Sequence, residues 1–246
     1  MNKNRETIFR FKQFSLSNRL SAMKVGTDGV LLGGWAQLPA DSPEGRVLDV
    51  GCGTGVVALM LAQRYPEATV RCIDINADAV AECAGNIAAS PFSGRVEVSQ
   101  ADFLTLASDE ALSGAYDLIV SNPPFFTERL HSPDADRATA RHDDTLPLRA
   151  LLSVSAKLLR SGGMFAMVFP AVRDEEVLFE SSLAGLHPTR RCHVFTRAGK
   201  PARRTLWQFS TNPAGTCAET DLVISNPDNS YTPAYISLLK DFYLNF

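Results

Sequence analysis

From Arg46 onward the hydrophobic pattern switches repeatedly between short apolar runs and longer stretches of helical spacing. Arg46–Val50 is an apolar run that ends at glycines, which predicts a buried strand. Val56–Tyr65 then reads as a helix, with Pro66 just beyond it. Thr69–Asp74, apolar and β-branched, predicts a second strand, and Asn76 stands where it can cap a helix over Ala77–Ala88. Arg95–Gln100 alternates as a strand should, and Tyr116–Ser121 is a fourth. A helix over Leu146–Leu159, closed by Ser161-Gly162-Gly163, leads to a fifth strand, Met164–Phe169. Val172–Leu183 reads as a helix, and Arg190–Thr196 and Thr205–Ser210 as two late strands around a Gly-Lys-Pro turn. The expected fold is α/β: a doubly wound, seven-stranded, mostly parallel sheet with helices on both faces. The late hairpin makes one strand antiparallel to the rest.

Two stretches stand outside the alternation. Residues 1–45 form an N-terminal extension with a helix expected over Asp28–Gln37, ahead of a main domain over 46–246 that closes with a C-terminal helix. Residues 127–145 are a long polar connection, and a loop of that length inside a compact domain is usually functional or mobile.

The composition leaves this picture in place and excludes several classes. No stretch nears the run of about 18 apolar residues that spans a bilayer, and the N-terminus has no apolar signal region, so a cytoplasmic protein is expected. Five cysteines (Cys52, Cys72, Cys83, Cys192 and Cys217) make no C-x-x-C pair, and the four histidines are dispersed; no metal site is expected. Net charge is −3, yet cations cluster: Lys3, Arg5, Arg10, Lys12, Arg19 and Lys24 near the start, and Arg190, Arg191, Arg197, Lys200, Arg203 and Arg204 later on. Such clusters can follow a phosphate backbone even in an acidic chain, although they also suit solvated faces.

The densest chemical signal is Ser121-Asn122-Pro123-Pro124-Phe125, directly after the fourth strand. Two prolines remove two donors and fix φ, and each residue before a proline is held extended. Asn122 therefore ends a strand with its amide held in place, the Pro123 carbonyl has no helix to enter, and Phe125 adds a flat apolar face. Acceptors beside a stacking surface suit a planar exocyclic amine. A second signal is Asp49-Val50-Gly51-Cys52-Gly53-Thr54-Gly55 between the first strand and helix. Gly51, Gly53 and Gly55 allow a tight turn and close ligand approach. Val56 stands where a dinucleotide fingerprint needs glycine, and Asp49 would repel a pyrophosphate but can hold an ammonium. Asp74 ends the second strand, where a carboxylate grips ribose hydroxyls. Asp102 and Phe103 follow the third strand, placed for an adenine amino group and the ring itself. A nucleoside with a cationic amino-acid tail, S-adenosylmethionine, fits this set.

On these residues the chain resembles the class I S-adenosylmethionine-dependent methyltransferases, which carry a Rossmann-like sheet. The Asn-Pro-Pro-Phe motif resembles those that methylate amino groups: adenine N6, guanine N2 or protein glutamine. Met23 through Gly33, and Ser230 through Leu244, resemble the bacterial enzymes that methylate adenine N6 beside a tRNA anticodon. The resemblance implies tRNA as partner, with Asn122, Pro123, Pro124 and Phe125 as the catalytic set. It also places Lys24, Thr27 and Asp28 over the methionine end of the cofactor; as plain sequence these three could equally cap the helix at Asp28. A monomer is expected. A non-catalytic RNA-binding module is the alternative of a different class, and the joint presence of glycine loop, strand-end acids and proline motif speaks against it.

Overall fold

The computed structural model describes residues 8–21, 24–124, 146–213 and 215–246. Its centre is an eight-stranded sheet with the order β10-β8-β9-β7-β6-β3-β4-β5. In chain order the strands of this sheet are β3 (Arg46–Val50), β4 (Thr69–Asp74), β5 (Val96–Gln100), β6 (Tyr116–Ser121), β7 (Leu159–Pro170), β8 (His187–Arg197), β9 (Arg204–Ser210) and β10 (Ala218–Ser225). A separate hairpin pairs β1 (Ile8–Arg10) with β2 (Ser15–Ser17). The helices are α1 (Thr27–Trp35), α2 (Val56–Arg64), α3 (Ala77–Ala88), α4 (Leu148–Leu158), α5 (Asp174–Leu183) and α6 (Pro233–Leu239).

The sheet is buried on both faces, so its central strands need apolar residues at odd and even positions alike. In β6, Leu118 and Val120 enter one core layer and Ile119 the other. Helices α1, α2 and α3 cover the first face. The second holds Leu48, Ile73, Phe165 and Trp207 under α4, whose Leu148, Leu151, Leu152, Ser155 and Leu158 recur at helical spacing and are all buried. Asn76 caps α3 as expected, its side chain accepting from the Asp78 and Ala79 amides at 2.8 and 3.2 Å.

The chain enters the sheet at its middle. From β3 it steps outward to β4 and β5, then crosses to the opposite side of β3 as β6 and β7. This reversal opens a crevice between β3 and β6 at the carboxyl ends of the strands, where open α/β sheets bind ligands. Within the eight-stranded sheet β9 alone runs against the rest, between β7 and β8.

Several expectations need correction. An eighth strand, β10, lies at the sheet edge parallel to β8. Its first half is Ala-Glu-Thr-Asp, exposed and charged, as suits an edge that must not pair with another chain. Ser161-Gly162-Gly163 does not close a helix. Strand β7 starts at Leu159, and the triplet sits inside it with Gly162 at φ 74°, where pairing with β6 shifts register. The described part of the N-terminal extension packs on the main domain. Phe11, Phe14 and Leu16 of the hairpin and Val30, Leu31 and Leu32 of α1 belong to the main core.

Candidate active site

The loop from β3 to α2 is built by three left-handed glycines: Gly51 at φ 69°, Gly53 at 53° and Gly55 at 81°. A Cβ would strain each of these turns. The amides of Gly51 and Cys52 both donate to the Ile73 carbonyl, at 2.9 and 3.1 Å, tying the loop to β4. Asp74 then braces it from the strand end: Oδ2 accepts from the Gly53 amide at 3.0 Å and Oδ1 from the Asn76 amide at 2.9 Å. An added Cβ at Gly51 would meet nothing within 4 Å, so the loop faces open space on that side.

Asp49 sits beneath this loop, 1% exposed, with Oδ2 accepting from the Ala58 amide in the first turn of α2 at 3.1 Å. Burial, then the nearby Cys83 and Asp74, push its carboxyl up to about 8. Burial thus favours its protonated form, and its visible role is to anchor strand to helix. A cation arriving above the loop would draw it back toward the charged form.

At the neighbouring strand end, Ser121 Oγ donates to the Val50 carbonyl at 3.0 Å, locking β6 to β3 where the crevice opens. Asn122 follows, half-buried, then Pro123, buried, and Pro124, exposed. Helix α1 comes close: a Cβ on Gly29 would lie 3.8 Å from Asn122 Nδ2 and 3.1 Å from Val56 Cγ1. Glycine at this position lets the start of α1, the amide of Asn122 and the start of α2 share one corner. The two prolines also line a cleft of about 200 Å³ with Leu146, Pro147, Leu148, Leu151, Phe169 and Arg173. Arg173 lies over the Phe169 ring at 4.7 Å. Neither residue was singled out from sequence, although both sit at or just beyond the end of the strand next to the proline motif. Phe125 lies outside the described residues, as do 127–145.

The other candidates are less open. Asp102 is exposed and its Oδ1 accepts from the Leu104 amide at 2.9 Å, capping the short turn Phe103–Ser108. Phe103 is 5% exposed in the second core layer with Leu48, Val50 and Ile73, so it presents little surface to a ligand. Neither Thr27 nor Asp28 caps α1, whose N-cap is Gly26 with no side-chain bond. Instead Asp28 Oδ2 accepts from Arg204 Nε of β9 at 2.8 Å, and Lys24 Nζ donates to the Arg19 carbonyl at 2.9 Å.

A family model described as the methyltransferase small domain matches residues 34–195, which contain the glycine loop, Asp74 and the proline motif. The chain belongs to this family. A relative from Bacteroides fragilis, described as tRNA1(Val) (adenine(37)-N6)-methyltransferase, is 44% identical over 239 residues, covering 97% of this chain and 98% of its own. One from Phocaeicola vulgatus with the same description is 41% identical over 237 residues, covering 96% and 97%. The crystal structure of a predicted O-methyltransferase from Agrobacterium tumefaciens matches with a TM-score of 0.67 at 17% identity. It covers 87% of this chain and 96% of that one, and speaks for the fold alone. The methyltransferase reading and the Rossmann-like sheet expected from sequence therefore hold. Among the described residues no helix is long and apolar enough to cross a membrane.

Within this methyltransferase frame the cationic clusters separate into two kinds. Arg190 lies 4.2 Å above the Trp35 ring and Arg191 pairs with Glu219 at 2.7 Å, so both serve the fold. Lys12 Nζ donates to the carbonyls of Lys240 and Phe246, at 2.5 and 3.0 Å. Arg10, Arg19, Arg197, Lys200 and Arg203 are exposed. Arg197 ends β8 and donates to Asn229, Lys200 and Arg203 occupy the β8–β9 turn, and the Ala171 amide donates to the Arg203 carbonyl at 3.3 Å, which places that turn beside Arg173 on the carboxyl edge of the sheet.

Proposed function

We propose that this methyltransferase uses S-adenosylmethionine to methylate N6 of adenine 37 in tRNA1(Val), in the cytoplasm. What carries the reading is the meeting of Asn122-Pro123-Pro124 with the Gly51–Gly55 loop at one sheet crevice. Relatives aligned over nearly the whole chain and described with that activity support it.

The residues present suit the donor: a loop of left-handed glycines open on one side, a carboxylate at the end of β4 and another after β5. Gly51, Gly53 and Gly55 admit it closely, Asp74 takes ribose hydroxyls with the lone pairs that Gly53 and Asn76 leave, and Asp102 accepts from the adenine amino group. Lys24, Thr27 and Asp28 close the methionine end. When bound, S-adenosylmethionine supplies an electrophilic methyl carbon.

The chain's task is to aim a poor nucleophile, since the N6 lone pair is delocalised into the ring. Asn122 Oδ1 and the Pro123 carbonyl accept the two N6 protons, which favours a pyramidal nitrogen. Phe125 stacks on the base, a contact worth about 1–3 kcal/mol by comparison with other base–aromatic stacks. No strong base is required, because the proton becomes acidic only as the new bond forms. Positioning is the main contribution. The adenine must leave its stack, at about a few kcal/mol. Arg197 at the end of β8 and Lys200 and Arg203 on the turn after it meet the phosphates that offset this.

The test is labelled methyl transfer into tRNA1(Val), followed by nucleoside mass analysis. N6-methyladenosine is expected, and it disappears when adenine 37 is replaced by guanine. Label in guanine N2 or in protein glutamine would overturn the substrate while leaving the amino-methyltransferase chemistry in place.

A further inference from the structure

We propose that Cys52, Cys72 and Cys83 form a binding site for one thiophilic divalent cation of the zinc group, directly behind the glycine loop. The three residues come from different elements: Cys52 from the loop, Cys72 from β4 and Cys83 from α3. Their Sγ atoms all lie within 4.8 Å of one another, the one His, Cys, Asp or Glu group among the described residues with donor atoms so close. All three are buried, at 6%, 0% and 0% exposure. The packing around them is tight, since a Cβ on Gly55 would come within 2.7 Å of Cys83 Sγ.

The sulfurs are close to the spacing a metal requires. With metal–sulfur bonds of about 2.3 Å, three ligands of a tetrahedral or trigonal ion stand roughly 3.8–4.0 Å apart. Shifts below about 1 Å complete the set. Donor type selects the ion: an all-sulfur cluster suits soft cations and excludes magnesium and calcium, which take oxygen. Charge selects the valence. Three thiolates around a monovalent ion leave −2 in the core and around a divalent ion −1, next to the buried Asp49. The thiol protons leave to solvent as the ion enters, and a water or another small donor completes the fourth position. A bound cation would staple the loop to β4 and α3, fixing the turn that Asp74 braces from the other side.

The experiment uses the full, reduced chain, stripped of metal and titrated with Zn²⁺ against a colorimetric chelator. Cd²⁺ is then used for its thiolate charge-transfer absorption. One ion per chain with the absorption of three thiolates is expected. Loss of an outer neighbour of a metal ligand already costs about 10–100-fold in affinity, so Cys72→Ser and Cys83→Ser should each cost at least about tenfold. Cys192→Ser and Cys217→Ser should leave binding unchanged. Because a core substitution can unfold the chain, the unaltered protein gives a second measurement. Zn²⁺ should protect Cys52, Cys72 and Cys83 together from alkylation, read by peptide mass mapping. An unaltered protein that retains no Zn²⁺, binding that follows Cys217, or protection that omits two of the three thiols would overturn the proposal.

Discussion

Gly55→Ala and Gly51→Ala change the same loop by the same methyl group and should fail in different ways. Both glycines are left-handed, at φ 81° and 69°, so each alanine costs about 1–2 kcal/mol of backbone strain. Only at Gly55 does the new Cβ collide, 2.7 Å from Cys83 Sγ, whereas at Gly51 it meets nothing within 4 Å. Overpacking of a dense core adds about 1–3 kcal/mol. Urea unfolding should therefore show Gly51→Ala losing about 1–2 kcal/mol and Gly55→Ala roughly 2–5 kcal/mol. Titration calorimetry with S-adenosylmethionine should reverse the emphasis, with Gly51→Ala losing affinity beyond what its stability explains, because its methyl enters the open side of the loop. A cycle with Cys83→Ala isolates the collision: the double variant should recover about 1 kcal/mol or more of coupling. Equal destabilisation by the two alanines, or no coupling with Cys83, would refute the contact and the description of the loop as packed on the thiols.

Three further outcomes follow from the site. Asn122→Ala should abolish methyl transfer while donor affinity stays within about twofold, whereas Asp74→Ala should weaken donor binding first, since it releases the Gly53 and Asn76 amides as well. Asp49 binds its proton more tightly folded than unfolded, so its contribution to stability is full below its ordinary value of 3.8 and is lost as pH rises to about 8. Across that window wild type should lose up to about 1.4 kcal/mol per pH unit relative to Asp49→Asn in parallel urea titrations; parallel pH curves would show Asp49 to be ordinary. Lys200→Ala and Arg203→Ala should each flatten the dependence of log affinity for tRNA on log salt by about 1, with catalysis at saturating tRNA unchanged. An unaltered slope would remove the β8–β9 turn from the RNA surface.

The strands that build the crevice were legible because two-sided burial demands long apolar runs, as in Tyr116–Ser121, and because asparagine, glycine and proline mark their ends. Asp74 and Asn122 could be placed for the same reason, as each ends a strand whose position in the sheet follows from the alternation. Other features depend on contacts between distant segments. The first half of β10 is charged and gives no apolar signal, and its exposure as an edge makes that tolerable. Arg190 looks from sequence like any surface cation, but it lies on Trp35, 155 residues away. Gly162 reads as a helix stop and is a left-handed residue within a strand. The thiols are 20 and 11 residues apart in sequence, unlike the close pairs that mark zinc motifs, and only the packing of α3 against β4 brings them together.

The seam between the first and last segments has a consequence for the order in which the molecule is completed. Phe11 pairs with Tyr243, and Lys12 holds the carbonyl of Phe246 across 234 residues. During synthesis at about 5–20 residues per second, Phe11 and Lys12 wait at least roughly ten seconds for these partners, whereas Ser17 and Ser21 meet Asn86 and Glu82 of α3 much sooner. Until then the outer edge of the hairpin lacks its cover. The nascent sheet can form early, but the aromatic seam of Phe9, Phe11, Tyr243 and Phe246 closes only after the last of these residues has left the ribosome.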